Sequence, residues 1–378
     1  MQVEAIIIGD NHYNALGVIR SLGCHNIDIQ LILFESEENF VQYSKFVKKY
    51  TIIKQETQLL KKTIFNQLNQ DKINVIFPLS DFAAIVCDEI SKEDCYRNCI
   101  IPNANGSCKV YQNKEIINKI AETCNITVPK SDILKLKDNN ELKWNIFPAI
   151  IKPLLSIEGH KSDIAIVNEA NEFKTVIQGF KDKGYAEVQI QEYINGTDEC
   201  MLEVMGYVGK NGQVNFSKII KKIREYPIKN GSTSFAEFVD SWNGIDKHSI
   251  VQLLAKTNYY GIFDIEFKYA NGTTYFIEIN FRNGAPSHAL SKQGYNIPYR
   301  WLCDAASLNI NSSVKMDNRF FMVETRDVVN MLKRDVSLKI WIKDFFKAKL
   351  LIWDASDLAP TFKMYTSFLK QIIRRVLR

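Results

Sequence analysis

The chain has no close cysteine pairs. Its eight cysteines are scattered, and Cys87, Cys95, Cys99 and Cys108 lack the CxxC spacing of a zinc site, so free thiols in a reducing cytoplasm are expected. No apolar run is long enough to cross a bilayer. The opening MQVEAIIIGD has no basic leader, so no signal peptide is expected and the Asn-Gly-Ser/Thr sequons carry no weight. Gly9, Asn11, Asn14 and Gly17 follow the first apolar run without the GxGxxG spacing of a dinucleotide fingerprint. A basic face is missing from the body as well. Lys363, Lys370, Arg374, Arg375 and Arg378, unaccompanied by any acid, match the whole net charge of +5, which argues against nucleic acid as the main partner. What remains is an ordinary globular composition over 378 residues, enough for two or three packed units.

The most informative stretch is Gly261 to Arg282, GIFDIEFKYANGTTYFIEINFR. Phe263, Ile265, Phe267 and Tyr269 alternate with Asp264, Glu266 and Lys268. Tyr275, Ile277, Ile279 and Phe281 alternate with Phe276, Glu278, Asn280 and Arg282. A period of two puts each set on its own strand face, and Asn271-Gly272 between the runs signals a hairpin. A two-residue turn would place Glu266 beside Ile277. A three-residue loop, Ala270 to Gly272, would set Asp264 opposite Glu278, and this loop is the expected one. Like charges facing each other destabilise a sheet, and a hard cation with oxygen ligands, such as Mg2+ bridging to phosphate, would remove that cost. The plainer alternative is a solvated polar face.

Tyr-Phe-Ile-Glu-Ile-Asn-x-Arg, after a strand with an earlier carboxylate, resembles the metal-binding end of the ATP-grasp superfamily, which includes biotin carboxylase, carbamoyl phosphate synthetase and D-alanine–D-alanine ligase. The resemblance implies that Glu266 (or Asp264), Glu278 and Asn280 hold Mg2+ (or Mn2+) on ATP phosphates. Asp264 would either bind metal itself or support Glu266. Arg282 would face the transferring phosphoryl or acyl phosphate.

Other segments agree in order. Val3 to Ile8, a glycine-containing turn, a helical stretch and IDIQLILF read as a parallel α/β unit. INVIFPLSDFAAIVCDEI repeats strand, turn and helix, with Asp81 read as a helix N-cap ahead of a ligand role. Helical YQNKEIINKIAETCNITV resembles the segment opening the ATP-grasp fold, where Lys114 would reach the phosphates. FPAIIKPLLSIEGHKSDIAIV carries a lysine within an apolar strand, a costly placement without an anion. In the resemblance Lys152 binds the α- and β-phosphates, and the loop after it, Ser156 to Lys161, closes over them. Only one glycine lies in that loop, leaving Ser156, His160 or Lys161 to compensate. VQIQEYINGTDECML resembles the adenine hinge: Gln191, Glu192 and Ile194 would meet the base, and Asp198 or Glu199 the ribose.

FSKIIKKIREYPIKNGSTSF supplies Lys222 and Arg224, assigned by alternation to one face with Lys218 and expected to neutralise the γ-phosphate. Arg224-x-Tyr226-Pro227-x(3)-Gly231 resembles a subgroup of carboxylate–amine ligases from cell-envelope and exopolysaccharide genes, similar to D-aspartate ligase. Gly231 to Ser234 would be its substrate loop. His288 would touch substrate or serve packing.

The expectation is therefore an α/β (α+β) ATP-grasp fold: a parallel α/β domain over 1–105, a lid over 106–190, a base with the metal site over 191–310 and an α-rich extension over 311–378. The implied activity is ATP-dependent ligation of a carboxylate to an amine through an acyl phosphate, on a cell-envelope or polysaccharide precursor. Bicarbonate-dependent carboxylation, a non-catalytic ATP-binding module and a metal-dependent hydrolase are the rivals. Expected partners are small-molecule carboxylate and amine substrates, a second copy of the chain, and the inner membrane face through the basic tail. In that tail Phe362, Tyr365, Phe368, Leu369, Ile372, Ile373 and Val376 recur at roughly helical spacing. A basic helix packed on its own domain is the favoured alternative.

Overall fold

Strand β1 (Val3–Gly9) is apolar from Ala5 to Ile8 and buried on both faces, as a central parallel strand must be. In this computed structural model the described residues are 2–37, 40–136, 144–154, 163–228, 231–310, 319–333 and 335–376, with side chains described to 370. Chain order continues with α1 (Tyr13–Gly23), β2 (Asp28–Phe34), β3 (Val47–Ile53), α2 (Thr57–Gln67), β4 (Ile73–Pro78), α3 (Asp81–Ile90) and β5 (Cys99–Ile100). The sheet order is β3-β2-β1-β4-β5, all parallel. The winding direction reverses between β1 and β4, so the turns after them, carrying Asp10 and Asp81, flank the crevice where such sheets bind ligands. Ser80 caps α3 by accepting from the Ala83 amide, which corrects the reading of Asp81 as the cap.

After α4 (Cys108–Tyr111) and α5 (Lys114–Glu122) comes a four-stranded antiparallel sheet, order β6-β9-β7-β8. It comprises β6 (Ser131–Lys135), β7 (Ala149–Pro153), β8 (Ala165–Val167) and β9 (Glu187–Glu192), with α6 (Ala170–Asp182) packed on its apolar face. The third sheet uses β10 (Met201–Val208), β11 (Val214–Tyr226), β12 (Ser232–Val239), α7 (Lys247–Lys256), β13 (Gly261–Ala270) and β14 (Thr273–Asn280). Two short helices follow, α8 (Ser287–Ser291) and α9 (Ile297–Ala305). Trp301 of α9 is fully buried with its ring edge-on to Phe77 of β4 at 5.1 Å, inside a core that joins the first and third sheets.

The C-terminal residues are not purely helical. Alongside α10 (Glu324–Leu332), α11 (Leu338–Lys347) and α12 (Leu358–Val376), strands β15 (Phe320–Met322) and β16 (Lys349–Leu350) extend the third sheet to β14-β13-β10-β11-β12-β15-β16. Buried charges pin this region down. Arg20 of α1 donates to the Asp357 carboxylate at 3.0 Å, to the Ile352 carbonyl at 2.7 Å and to Thr361 Oγ1 at 3.0 Å. Glu324 accepts from the amides of Leu351, Ile352 and Trp353 and from the Tyr365 hydroxyl. Tyr365 thus points inward, as the packed-helix alternative requires, while Phe362 and Leu369 are exposed.

Candidate functional site

The hairpin closes by a two-residue turn: Asn271 and Gly272 both have positive φ, 50° and 82°, and Ala270 pairs with Thr273. This corrects the expected three-residue loop. Neither predicted register results, because Phe267 pairs with Phe276 and Glu266 with Glu278, leaving Ile277 unpaired in a β-bulge. Phe276 and Ile279 are both buried, and their spacing of three is compatible with one core face only if a residue is looped out between them. Past the bulge, Asp264 faces Asn280. On the other side of β13, Glu203 of β10 pairs with Glu266. Glu203, Glu266 and Glu278 therefore form a rung of carboxylates across three adjacent strands.

One end of the rung is neutralised by the chain itself. Lys222 Nζ is buried within 3.0 Å of Glu225, 3.2 Å of Glu203 and 3.4 Å of Glu266. Burial opposes its charge, but the attraction of Glu266, Glu203 and Glu225 outweighs this and holds its pKa well above the ordinary lysine range. Thr233 Oγ1 donates to Glu203 at 2.8 Å. The β11–β12 register shifts around Ile223, which turns Glu225 toward Lys222. Arg224 is turned away: it forks onto Asp327 of α10 at 2.9 Å and reaches Asp344 of α11 at 2.7 Å. The expected pairing of Arg224 with Lys222 on one face is not found, and Arg224 is absent from the cleft lining.

At the other end the carboxylates are under stress. Burial, then repulsion from Glu266, raises the Glu278 pKa against the pull of Lys114. Asp264 is pushed well above the usual carboxylate range by burial and by Glu203 and Glu266, and its Oδ1 has no hydrogen-bond partner among the described residues. A Cβ at residue 284 would fall 2.5 Å from Asp264 Oδ2, so the glycine there lets the loop close over this carboxylate. Arg282 donates to Asp81 Oδ1 at 2.6 Å and to Asn280 Oδ1 at 3.0 Å, joining the first sheet to the hairpin.

Lys152, on β7, is buried and donates to Gln191 Oε1 at 2.8 Å. Burial and the neighbouring Lys114 lower its pKa to about 7, with Glu278 opposing. Lys114, the first residue of α5, is itself lowered by burial against the pull of Glu278 and Asp81.

These groups, Arg224 and Lys114 apart, share a cleft of about 640 Å³ bounded by all three sheets, a size within the range of small-molecule and cofactor sites, while Lys114 lines a small pocket beside it with Asp81, Glu278 and Asn280. Lys152, Gln191, Glu192, Ile194, Lys222, Asp264, Glu266, Glu278, Asn280 and Arg282 all line it, as do Gly231 to Thr233. The latter belong mainly to β12 rather than a free loop, and Ser234 turns away to bond Asp327. Asp198 and Glu199 do not line the cleft: Asp198 accepts from the Glu225 amide at 2.9 Å, and Glu199 is exposed. His288 is buried against Ser21 Oγ at 3.2 Å, its pKa held well below the ordinary value by burial, and it serves packing. Ser156, His160 and Lys161 lie outside the described residues. Glu203 and Glu225 escaped the sequence reading, although Glu203 interrupts an apolar strand just as Lys152 does. His12 and Tyr13, also in the lining, gave no sequence signal beyond following β1, and Asn14 beside them belonged only to the stretch without the dinucleotide spacing.

Among the described residues no group of three or more His, Cys, Asp or Glu side chains converges as a ready metal site. The donor set that remains, two opposed carboxylates with an amide beside them and an unsatisfied Asp264 oxygen, suits a hard divalent cation.

No family model matches the sequence, and no curated protein matches it either. Solved structures do. The N5-carboxyaminoimidazole synthetase from Staphylococcus aureus complexed with ADP is 15% identical, covering 89% of this chain and 86% of that one at a TM-score of 0.65. Biotin carboxylase from Campylobacter jejuni, in a complex with β,γ-ATP, is 14% identical over 84% of this chain and 74% of that one, TM-score 0.61. L-amino acid ligase from Bacillus licheniformis is 12% identical over 83% and 76%, TM-score 0.57. The chain has the ATP-grasp fold, α/β with a parallel N-terminal sheet.

Proposed function

We propose that this chain is an ATP-dependent carboxylate–amine ligase. The observation that carries the reading is the Glu203–Glu266–Glu278 rung, flanked by Lys222 on one side and by Lys152 on the other inside a cleft of nucleotide size, with Lys114 in the small pocket that adjoins it at Glu278. Its likeness in fold to an ADP complex and to an amino acid ligase supports it.

In this reading ATP lies between the sheet bearing Lys152 and the sheet bearing the hairpin, with its adenine at Glu192 to Ile194. Glu266, Glu278 and Asn280 would hold Mg2+ (or Mn2+), with Asp264 beside them, and a cation there would withdraw charge from the phosphates. Lys152 and Lys114 hold the α- and β-phosphates, and Lys222 fixes Glu266 in place rather than meeting phosphate directly. A substrate carboxylate oxygen attacks the γ-phosphorus and ADP leaves with the bridging oxygen's electrons. The amine then attacks the acyl carbon, phosphate departs, and the amine loses a proton. Arg282, held by Asp81, stabilises charge in both steps. The substrate carboxylate fits the end near His12, where the Arg326 guanidinium comes within 3.2 Å of the His12 ring and supplies a cation. A carboxylate placed there would accept from the Arg326 guanidinium.

The resemblance to envelope-gene ligases supports an amino acid and an envelope or polysaccharide precursor as substrates, and a cytoplasmic site of action. The test is ADP release with D- and L-amino acids against sugar-acid and peptide acceptors, products identified by mass spectrometry. Tight nucleotide binding without ADP release across the panel makes the chain a binding module. ADP release driven by bicarbonate makes it a carboxylase, a reading favoured by the likeness to biotin carboxylase.

A further inference from the structure

Helix α11 leaves its outer face uncovered. Leu338, Ile342 and Phe346 recur every fourth residue along one side of it, and they are 58%, 43% and 82% exposed. Lys339 and Lys343 run alongside, also exposed. Single exposed apolar residues are ordinary, but a row of three on one helix is not.

The charge on this face has one sign. Between Leu332 and Lys349 the sequence carries six cations and two acids. One acid, Asp344, is buried beneath the helix on Arg224 at 2.7 Å and Lys347 at 2.9 Å, and the other, Asp335, precedes the helix. The outward surface is therefore apolar with lysines beside it, and the acid that would oppose an anionic partner is drawn inward. A flat array of anionic headgroups over hydrocarbon complements such a face; a neutral apolar protein groove would leave the lysines unmatched.

We infer that α11 is a docking surface for an anionic lipid bilayer, lying in the interface with Leu338, Ile342 and Phe346 inserted and Lys339 and Lys343 at the headgroups. The inference does not depend on the ligase chemistry. It places lipid contact on a helix anchored to the rigid third sheet instead of on the basic tail alone. Because Asp344 binds Arg224, on the strand that also carries Lys222, docking would set the cleft at a fixed height above the membrane.

The test is cosedimentation of the full-length chain with sucrose-loaded vesicles, either phosphatidylcholine alone or phosphatidylcholine and phosphatidylglycerol in equal parts. Binding is expected on the anionic vesicles, weakening as salt rises. The double variant Lys339→Glu/Lys343→Glu should lower it roughly thirtyfold, and Phe346→Ser roughly tenfold, with unchanged circular dichroism and thermal unfolding. Unchanged binding in both variants, with complete loss in Arg374→Glu/Arg375→Glu, would assign lipid contact to the tail and overturn the inference. Failure of the wild-type chain to bind also overturns it. If Phe346→Ser then converts a dimer to a monomer, the face belongs to a second copy of the chain.

Discussion

Glu266 stands directly across the hairpin from Glu278, a pairing that exists only because Ile277 is looped out of the ladder. Without that bulge Phe276 and Glu278 would share one face, and keeping Phe276 in the core would turn Glu278 into the core with it. The fold thus holds two carboxylates in opposition although repulsion and burial raise the Glu278 pKa. Glu278→Gln should therefore do two opposite things. It should abolish divalent-dependent ADP formation, and it should stabilise the free protein by about 0.5–1 kcal/mol through relief of the like-charge contact. Denaturant unfolding beside an ADP-release assay checks both; retained turnover would remove Glu278 from the metal site.

Lys222 is the counterweight to the same rung. Lys222→Met should cost about 3–5 kcal/mol, because it leaves Glu203, Glu225 and Glu266 without their shared cation. Pairing it with Glu203→Gln should recover part of the loss, since one of the stranded charges goes with it. A double-mutant cycle in urea measures this, and additive losses would show that the two side chains do not act together.

Much of the site was legible because its residues break a local rule. Lys152 in an apolar strand and Asp264, Glu266, Glu278 and Asn280 beside core positions are costly unless something pairs with them, and all of them line one cleft. Register was not legible, since period-two reasoning has no means of dropping a residue. Alternation puts Phe276 on the polar face because nothing local records that Phe267 awaits it in the core, with ring centroids at 6.1 Å. Arg224 failed in the same way, turned aside by the shift around Ile223. Its partners Asp327 and Asp344 lie more than a hundred residues on, beyond the reach of any spacing argument.

Lys152 should make nucleotide binding depend on protons. In the free protein burial holds its pKa near 7, so above that value most molecules carry it neutral. Bound phosphates favour the ammonium and raise the pKa, so binding above about pH 7 takes up a proton. Affinity should be flat below 7 and fall by up to about tenfold per pH unit above it. Calorimetry at pH 8 in buffers of different ionisation enthalpy reads the proton directly, and Lys152→Met should abolish the uptake. The free fold follows the opposite trend: it gains stability as pH rises from 7 toward the ordinary lysine range, where the unfolded chain still holds the proton that the folded one has released.

Arg224 tests whether its motif serves chemistry or architecture. Its guanidinium stacks 4.3 Å from the Phe235 ring while binding Asp327, which is wholly buried, and Asp344. Arg224→Ala removes the only ion pair holding Asp327 among the described residues, and should lower stability by about 3–5 kcal/mol. Lysine cannot reproduce the fork on Asp327 together with the reach to Asp344, so Arg224→Lys should recover little of that. Neither change should alter nucleotide affinity at saturating folding conditions, because Arg224 does not line the cleft. A catalytic Arg224 would give the reverse pattern: a folded protein of near wild-type stability with turnover lost. Melting curves and nucleotide titrations of the same two variants separate the alternatives, and loss of affinity without loss of stability would return Arg224 to the phosphates.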